Sequence, residues 1–233
     1  MLEDRTEVFF DLLLPSWERI NYSPNVEYDV NNVLFQFLLQ YGRIGSGKTE
    51  TCRSIVEKAV EFYGEENVNA VSSDSLYDLI RYGLDDKPIQ ILIYDDATLE
   101  DLASDTIRRL FKIRQRYQEI SGRSNGYILA IVNTHRFHGL KIELRTNVDL
   151  AIWRSLPSDP YDLNVMKKFI GQEGLEALEI IEAKRLKDPS WNKVAVFTSR
   201  LRKGLVILPL ARKNYIRILE KPNLTLADLV VLR

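Results

Sequence analysis

The chain has 233 residues, with 32 Lys and Arg against 33 Asp and Glu, a formal net charge of −1 and 45% hydrophobic residues. This length buries a substantial core in one three-layer domain, and the balanced charge excludes a global basic field, so any nucleic-acid surface must be local. A single cysteine, Cys52, excludes a disulfide framework, and no uninterrupted apolar run approaches a membrane span; both point to a soluble protein of a reducing, cytoplasmic compartment with no membrane partner.

Residues 4–20 read as helical, with Val8, Leu12 and Leu13 able to share a face and Pro15 ending the pattern. Residues 21–32 are a polar connection. Residues 33–41 are an apolar run of buried-strand type, and directly after them Gly42-Arg43-Ile44-Gly45-Ser46-Gly47-Lys48-Thr49 fits the phosphate-binding pattern G-x-x-x-x-G-K-[ST] at every fixed position. A triphosphate has to be wrapped by backbone N–H groups, so glycine is needed where a Cβ would collide or φ must be positive. Gly42, Gly45 and Gly47 supply that freedom. Lys48 can reach the β- and γ-phosphates as a point charge, and Thr49 can offer its hydroxyl to Mg²⁺.

Cys52, Ile55, Val56, Ala59, Val60 and Tyr63 then recur at helical spacing up to Gly64. Residues 67–71 are a short strand, Asp74 is a helix cap before Leu76, Leu79 and Ile80, and residues 89–94 are a continuous apolar strand ending in Asp95-Asp96. Residues 101–121 read as a helix with Leu110, Ile113, Tyr117 and Ile120 inward. Residues 127–132 form a strand ending in Asn133-Thr134-His135, and residues 148–153 form another. A helix follows over 161–187, interrupted at 171–174; residues 194–199 and 205–210 read as strands joined by a turn around Lys203-Gly204. Residues 223–233 are apolar enough to dock, for instance on another subunit. The alternation predicts an α/β fold, three αβα layers around a mostly parallel sheet, with ligands at the carboxyl ends of its strands.

A carboxylate at a strand end can hold Mg²⁺, and a second one beside it can orient or deprotonate water. Asp95 is the metal candidate and Asp96 the base, with Glu100 as the substitute base; helix capping is the other reading of either aspartate. Asn133 is placed to sense the γ-phosphate or position water, or it is a turn residue. Arg108, Lys112 and Arg116 lie four apart on one helical face, and Arg200, Arg202 and Lys203 cluster at the proposed hairpin tip. Either group can track a DNA backbone or be a solvated face. His135 and His138 lack a third obvious ligand or a cysteine pair for a metal site.

The GRIGSGKT loop, the ILIYDD strand and the ILAIVNTH strand together resemble the Walker A, Walker B and sensor elements of the P-loop NTPases that place an additional strand between the first two. The resemblance covers residues 33–155. It implies a nucleotide-binding core there, a lead-in over residues 1–32, and an extension over 156–233 continuing the same domain. In that class the acid after the metal-binding Asp is commonly Glu, so Asp96 is a departure. Two branches compete. AAA+ initiators and helicase loaders typically carry Asn or Thr as sensor, matching Asn133; FtsK-HerA-like translocases and viral genome-packaging ATPases carry an Arg-Asn segment like Leu144-Arg145-Thr146-Asn147 and continue the sheet. The strands expected over 194–210 favour the second, and Arg145 is then a candidate to reach a neighbour's γ-phosphate.

The leading expectation is therefore a Mg²⁺-dependent ATPase acting on DNA as a homo-oligomer: a translocase, a packaging motor, or a replication initiator or loader. A small-molecule kinase would use the same loop but needs an acceptor pocket, and Asp95-Asp96 suits water activation better. A GTPase switch would carry N-K-x-D; here Asn192-Lys193 is followed by Val194 and Ala195.

Overall fold

The computed structural model describes residues 2–22, 32–95, 112–135 and 147–219. Eight strands form one mixed sheet: β1 (Asn32–Tyr41), β2 (Val68–Ser73), β3 (Ile89–Tyr94), β4 (Asn125–Thr134), β5 (Leu150–Trp153), β6 (Val194–Ser199), β7 (Lys203–Ile207) and β8 (Arg217–Ile218). Their spatial order is β7-β6-β5-β1-β4-β3-β2-β8; the pairs from β5 to β8 are parallel and β6 is antiparallel to both neighbours. The expected parallel α/β sheet is therefore present, with β4 inserted between β1 and β3.

Strand alternation builds the two cores. Along β4, Tyr127, Leu129 and Ile131 point to one face, while Ile128, Ala130 and Val132 point to the other. The first face is covered by α1 (Thr6–Leu13), α2 (Trp17–Asn21) and α3 (Lys48–Tyr63), through Phe9, Leu13, Ile20, Ile55, Val56 and Ala59. On the second lie α4 (Leu76–Tyr82), α5 (Ile113–Ser121) and α6 (Pro160–Arg185), through Leu79, Ile113, Tyr117, Met166, Ile170 and Leu178. The handedness of parallel crossovers explains the split. The chain moves outward from β1 to β2 through α3 on one face, then back through α4 and α5 on the other.

Several local expectations are corrected. Val8 is 37% exposed, and the inward face of α1 is Phe9 and Leu13, because Phe9 stacks edge-on with Phe197 of β6. Ser75, not Asp74, caps α4, its hydroxyl accepting from the Asp78 N–H. Ile120 faces outward because α5 seats only Ile113 and Tyr117 against the sheet. The β6–β7 turn falls at residues 200–202, so Lys203 and Gly204 belong to β7 and pair with Thr198 and Phe197.

Both sheet edges are dressed by chain ends. Residues 3–5 run along β7, with Leu205 N–H donating to the Glu3 carbonyl (2.8 Å) and Arg5 N–H to the Leu205 carbonyl (2.9 Å). After β7 the chain crosses α3 as a strap: Ala211 N–H donates to Glu50 Oε1 (2.9 Å), and Arg212 and Lys213 N–H to the Glu57 carboxylate. It then joins the opposite edge as β8, with Val71 and Ser72 facing Arg217 and Ile218. Among the described residues no helix is long and apolar enough to cross a membrane. Pro24, residues 101–111 of the predicted third helix and residues 223–233 lie outside the described residues, the first with most of the polar connection.

The expected interruption of the long helix is present: α6 bends at Gly171, at φ 72° and ψ −179°, a region essentially reserved for glycine. An added Cβ would meet only Lys203 Nζ at 3.9 Å, so backbone strain and not collision decides the outcome. Gly171→Ala is expected to lower unfolding stability by about 1–3 kcal/mol in urea titrations, whereas Glu179→Ala on the exposed face of the same helix should change it by less than about 0.5 kcal/mol.

Candidate nucleotide site

The glycine-rich loop connects β1 to α3, so its backbone sits at the carboxyl end of the central parallel strands. Gly45 and Gly47 adopt φ of 75° and 85°, and an added Cβ at Gly42 would fall 2.2 Å from Ser46 Oγ. Positive φ favours glycine at Gly45 and Gly47, and a side chain at Gly42 would push Ser46 Oγ aside. Gly42 N–H donates to the Thr134 carbonyl (3.1 Å), tying the loop entrance to β4. Arg43 N–H donates to Ser155 Oγ (2.8 Å) and its guanidinium to the Leu156 carbonyl (2.9 Å), while Ile44 at the tip is 87% exposed. Lys48 Nζ donates to the carbonyls of Gly42 (2.7 Å) and Arg43 (3.2 Å), which closes the loop and keeps the ammonium charge on it. The Ser46 hydroxyl oxygen is buried without a hydrogen-bond partner, a cost that a phosphate oxygen in the loop would relieve.

Strand register delivers the second half of the site. Gln40 pairs with Asn133, and Tyr94 pairs with Val132, so Asp95 emerges level with Asn133. The Asn133 amide donates to Asp95 Oδ1 (3.0 Å), and Asn133 is fully buried. Thr49, Asp95 and Asn133 line one cavity of about 80 Å³, together with Asn214, Ile216 and Ile218 of the strap. A hydroxyl and a carboxylate facing one small space, beside a loop of backbone donors, are the hard oxygen ligands that Mg²⁺ with a polyphosphate takes. The residues fit that pair of groups.

Behind the loop lies a residue that the sequence reading missed. Arg154, next after β5, is 2% exposed; its Nε donates to the Ser46 carbonyl (2.6 Å), its Nη1 to Thr51 Oγ1 (2.7 Å) and its Nη2 to the Asn192 carbonyl. Arg185 in turn donates to the carbonyls of Arg154, Trp191 and Val194. Burial, and then the neighbouring Arg185 charge, lower the Arg154 pKa to about 10, which leaves it cationic at neutral pH. The one available signal was its place directly after an apolar strand; that this strand adjoins β1 is not written in it.

The basic candidates are less free than their spacing suggests. Lys112 and Arg116 are exposed, but Arg116 pairs with Glu119 (3.2 Å), and Lys203 pairs with Glu173 (3.2 Å). Arg200 and Arg202 flank Leu201, which is 91% exposed at the hairpin turn. Asp96, Glu100, Arg108, His138 and Arg145 lie outside the described residues.

The sheet order β5-β1-β4-β3-β2, with the loop after β1 and an acid after β3, is the additional-strand arrangement. The fold is that of a P-loop NTPase. The sequence matches no protein-family model and no curated protein. Among solved structures, the chain is similar to the genome packaging NTPase B204 from Sulfolobus turreted icosahedral virus 2. Against its complex with ATP-gammaS the identity is 15%, covering 76% of this chain and 97% of that one, with a TM-score of 0.43. Against its sulfate complex the identity is 14%, covering 76% and 98%, with a TM-score of 0.47. The DNA-packaging ATPase B204 from Sulfolobus Turreted Icosahedral Virus is 13% identical over 73% of this chain and 96% of that one, at a TM-score of 0.43.

Cys52 packs beneath the site, its thiol against Asn133 Oδ1 (3.6 Å). Burial pushes its pKa up to about 12. At about pH 8 only the thiolate reacts, so iodoacetamide is expected to leave the folded protein unmodified over hours and to alkylate it fully in guanidinium chloride, as read by intact mass.

Proposed function

We propose that the chain is a Mg²⁺-dependent ATP hydrolase whose turnover drives the handling of DNA, working as a homo-oligomer of the translocase or genome-packaging kind. The observation that carries the hydrolase reading is the convergence of Thr49, the last residue of the Gly42–Thr49 loop, with Asp95 and Asn133 on one cavity. In this reading the loop amides and Lys48 bind the β- and γ-phosphates. Arg43 and Ile44 form the outer turn of the loop, and Gly45, Ser46 and Gly47 its floor. Thr49 and Asp95 hold Mg²⁺, which neutralises phosphate charge and so favours departure of the leaving group.

The remaining steps belong to the chain's own side chains. Asn133, fixed by its hydrogen bond to Asp95, orients the attacking water or reports the γ-phosphate. Asp96, next in sequence to the metal carboxylate, takes the proton from that water. Arg145 of a neighbouring copy stabilises the charge that develops on the transferred group, which couples turnover to assembly. For DNA the support is the exposed Arg200-Leu201-Arg202 turn with Lys203 beside it, and Lys112, Arg116 and Arg108 form a second set.

The test is phosphate release from Mg²⁺-ATP at low salt, with and without duplex and single-stranded DNA, because counterion release hides weak DNA effects at higher salt. Lys48→Ala and Asp95→Asn are each expected to lower turnover by about 100-fold or more, and DNA should raise the wild-type rate. Arg200→Ala combined with Arg202→Ala should remove the DNA response and leave the basal rate unchanged. Wild-type protein that neither binds nor hydrolyses ATP refutes the hydrolase reading; phosphate passed to a metabolite acceptor in place of water makes the chain a kinase.

A further inference from the structure

We infer that Arg154 is the positioning residue of the phosphate loop: it turns the Gly47 and Lys48 amides toward the nucleotide and supplies a buried positive charge for which the phosphates are the counter-ion. The inference rests on the nucleotide reading of the loop given above.

Peptide geometry carries the first half. In a trans peptide the C=O and the following N–H point in opposite directions. Arg154 Nε holds the Ser46 carbonyl inward at 2.6 Å, so the Gly47 N–H of the same peptide faces away from the core. The next peptide is held likewise. The Gly47 carbonyl accepts from the Thr51 N–H (3.0 Å) and from Thr51 Oγ1 (3.1 Å), and Arg154 Nη1 holds that hydroxyl at 2.7 Å, so the Lys48 N–H also turns outward with Arg154 supporting it. Gly47 has to lack a side chain for this to work, since a Cβ there would lie 3.1 Å from Arg154 Nη2.

Charge carries the second half. Removing a guanidinium from water is costly unless an anion accompanies it. Among the described residues, every hydrogen bond of the Arg154 guanidinium goes to a carbonyl or hydroxyl oxygen, and after burial the charge that acts on it most is another cation, Arg185. Arg185 is different, for Glu182 lies close enough to favour its charged form. A low-dielectric cation directly under a ring of outward N–H groups strengthens those donors, and its field acts on whatever anion they bind. Arg154 thus favours ligands in order of phosphate charge.

The experiment measures calorimetric affinity for Mg²⁺-ATP and for AMP, together with steady-state KM and kcat, in wild type, Arg154→Met, Arg154→Lys and Thr51→Val. Arg154→Met is expected to raise the Kd and KM for ATP about 10–100-fold, with a much smaller change for AMP and a smaller change in kcat than in KM. Arg154→Lys should recover part of the ATP affinity. Thr51→Val, which cuts the relay to the second amide and keeps the charge, should raise the ATP Kd about 3–10-fold. If Arg154→Met does not fold, the lysine and valine variants decide alone: wild-type ATP affinity in both overturns the inference. Equal losses for ATP and AMP also overturn it, because they mark a merely structural role. Wild-type protein that binds ATP alongside an unaffected Arg154→Met refutes the inference and spares the nucleotide reading; a wild type without ATP affinity refutes both.

Discussion

The constraint on which the molecule depends is the parallel register of its three central strands. Ten residue pairs lock β1 to β4, and β3 is locked to β4 by six more, so the carboxyl ends of the three strands finish within two residues of one another. A slip of one residue would carry every β4 side chain from one packed core into the other, and with both faces of β4 buried that slip would break the packing on both. Gln40, Asn133 and Asp95 share a level because hydrophobic burial several residues earlier in each strand fixes where that strand stops. Site precision is inherited from the core.

The helix after the loop converts that level into a cavity. Its amino end starts at Lys48, Cys52 rests on Asn133, and Thr49 looks into the same space as Asp95. The loop is then fixed from two sides, by the Thr134 carbonyl of β4 at its entrance and by Arg154 and Ser155 after β5. A glycine-rich loop has a large entropy to lose on ordering, and these anchors reduce what a ligand must supply when it binds.

Much of this was legible in the amino-acid order. The buried strands announce themselves as continuous apolar runs, and the loop string followed by a 3.6-residue pattern marks the strand-loop-helix unit without ambiguity. What was illegible had physical causes. Asp74 and Ser75 are both good caps, and only the path out of β2 selects the second. Val8 and Phe9 are adjacent apolar residues, and the contact of Phe9 with Phe197, far along the chain, decides which turns inward. Arg154 looks like any charged residue after a strand until the order of the strands brings that strand beside β1. The strap over residues 208–219 carries no periodic signal, because most of its hydrogen bonds run to Lys193, Glu50, Glu57 and β2, and Ile216 N–H alone among those described turns back within it, to Asn214.

That strap bears on how the molecule is made. Residues Arg217–Ile218 pair with Val71–Ser72, so the last described strand joins one of the first, and its neighbours Asn214 and Ile216 line the same cavity as Asp95. Contacts this distant in sequence close late, after most of the loop-closure entropy has been overcome elsewhere. On the ribosome, the loop, its helix and Asp95 emerge well before the segment that supplies Asn214, Ile216 and Ile218 to the same cavity. Until that segment has emerged, the cavity that Asp95 lines lacks part of its wall.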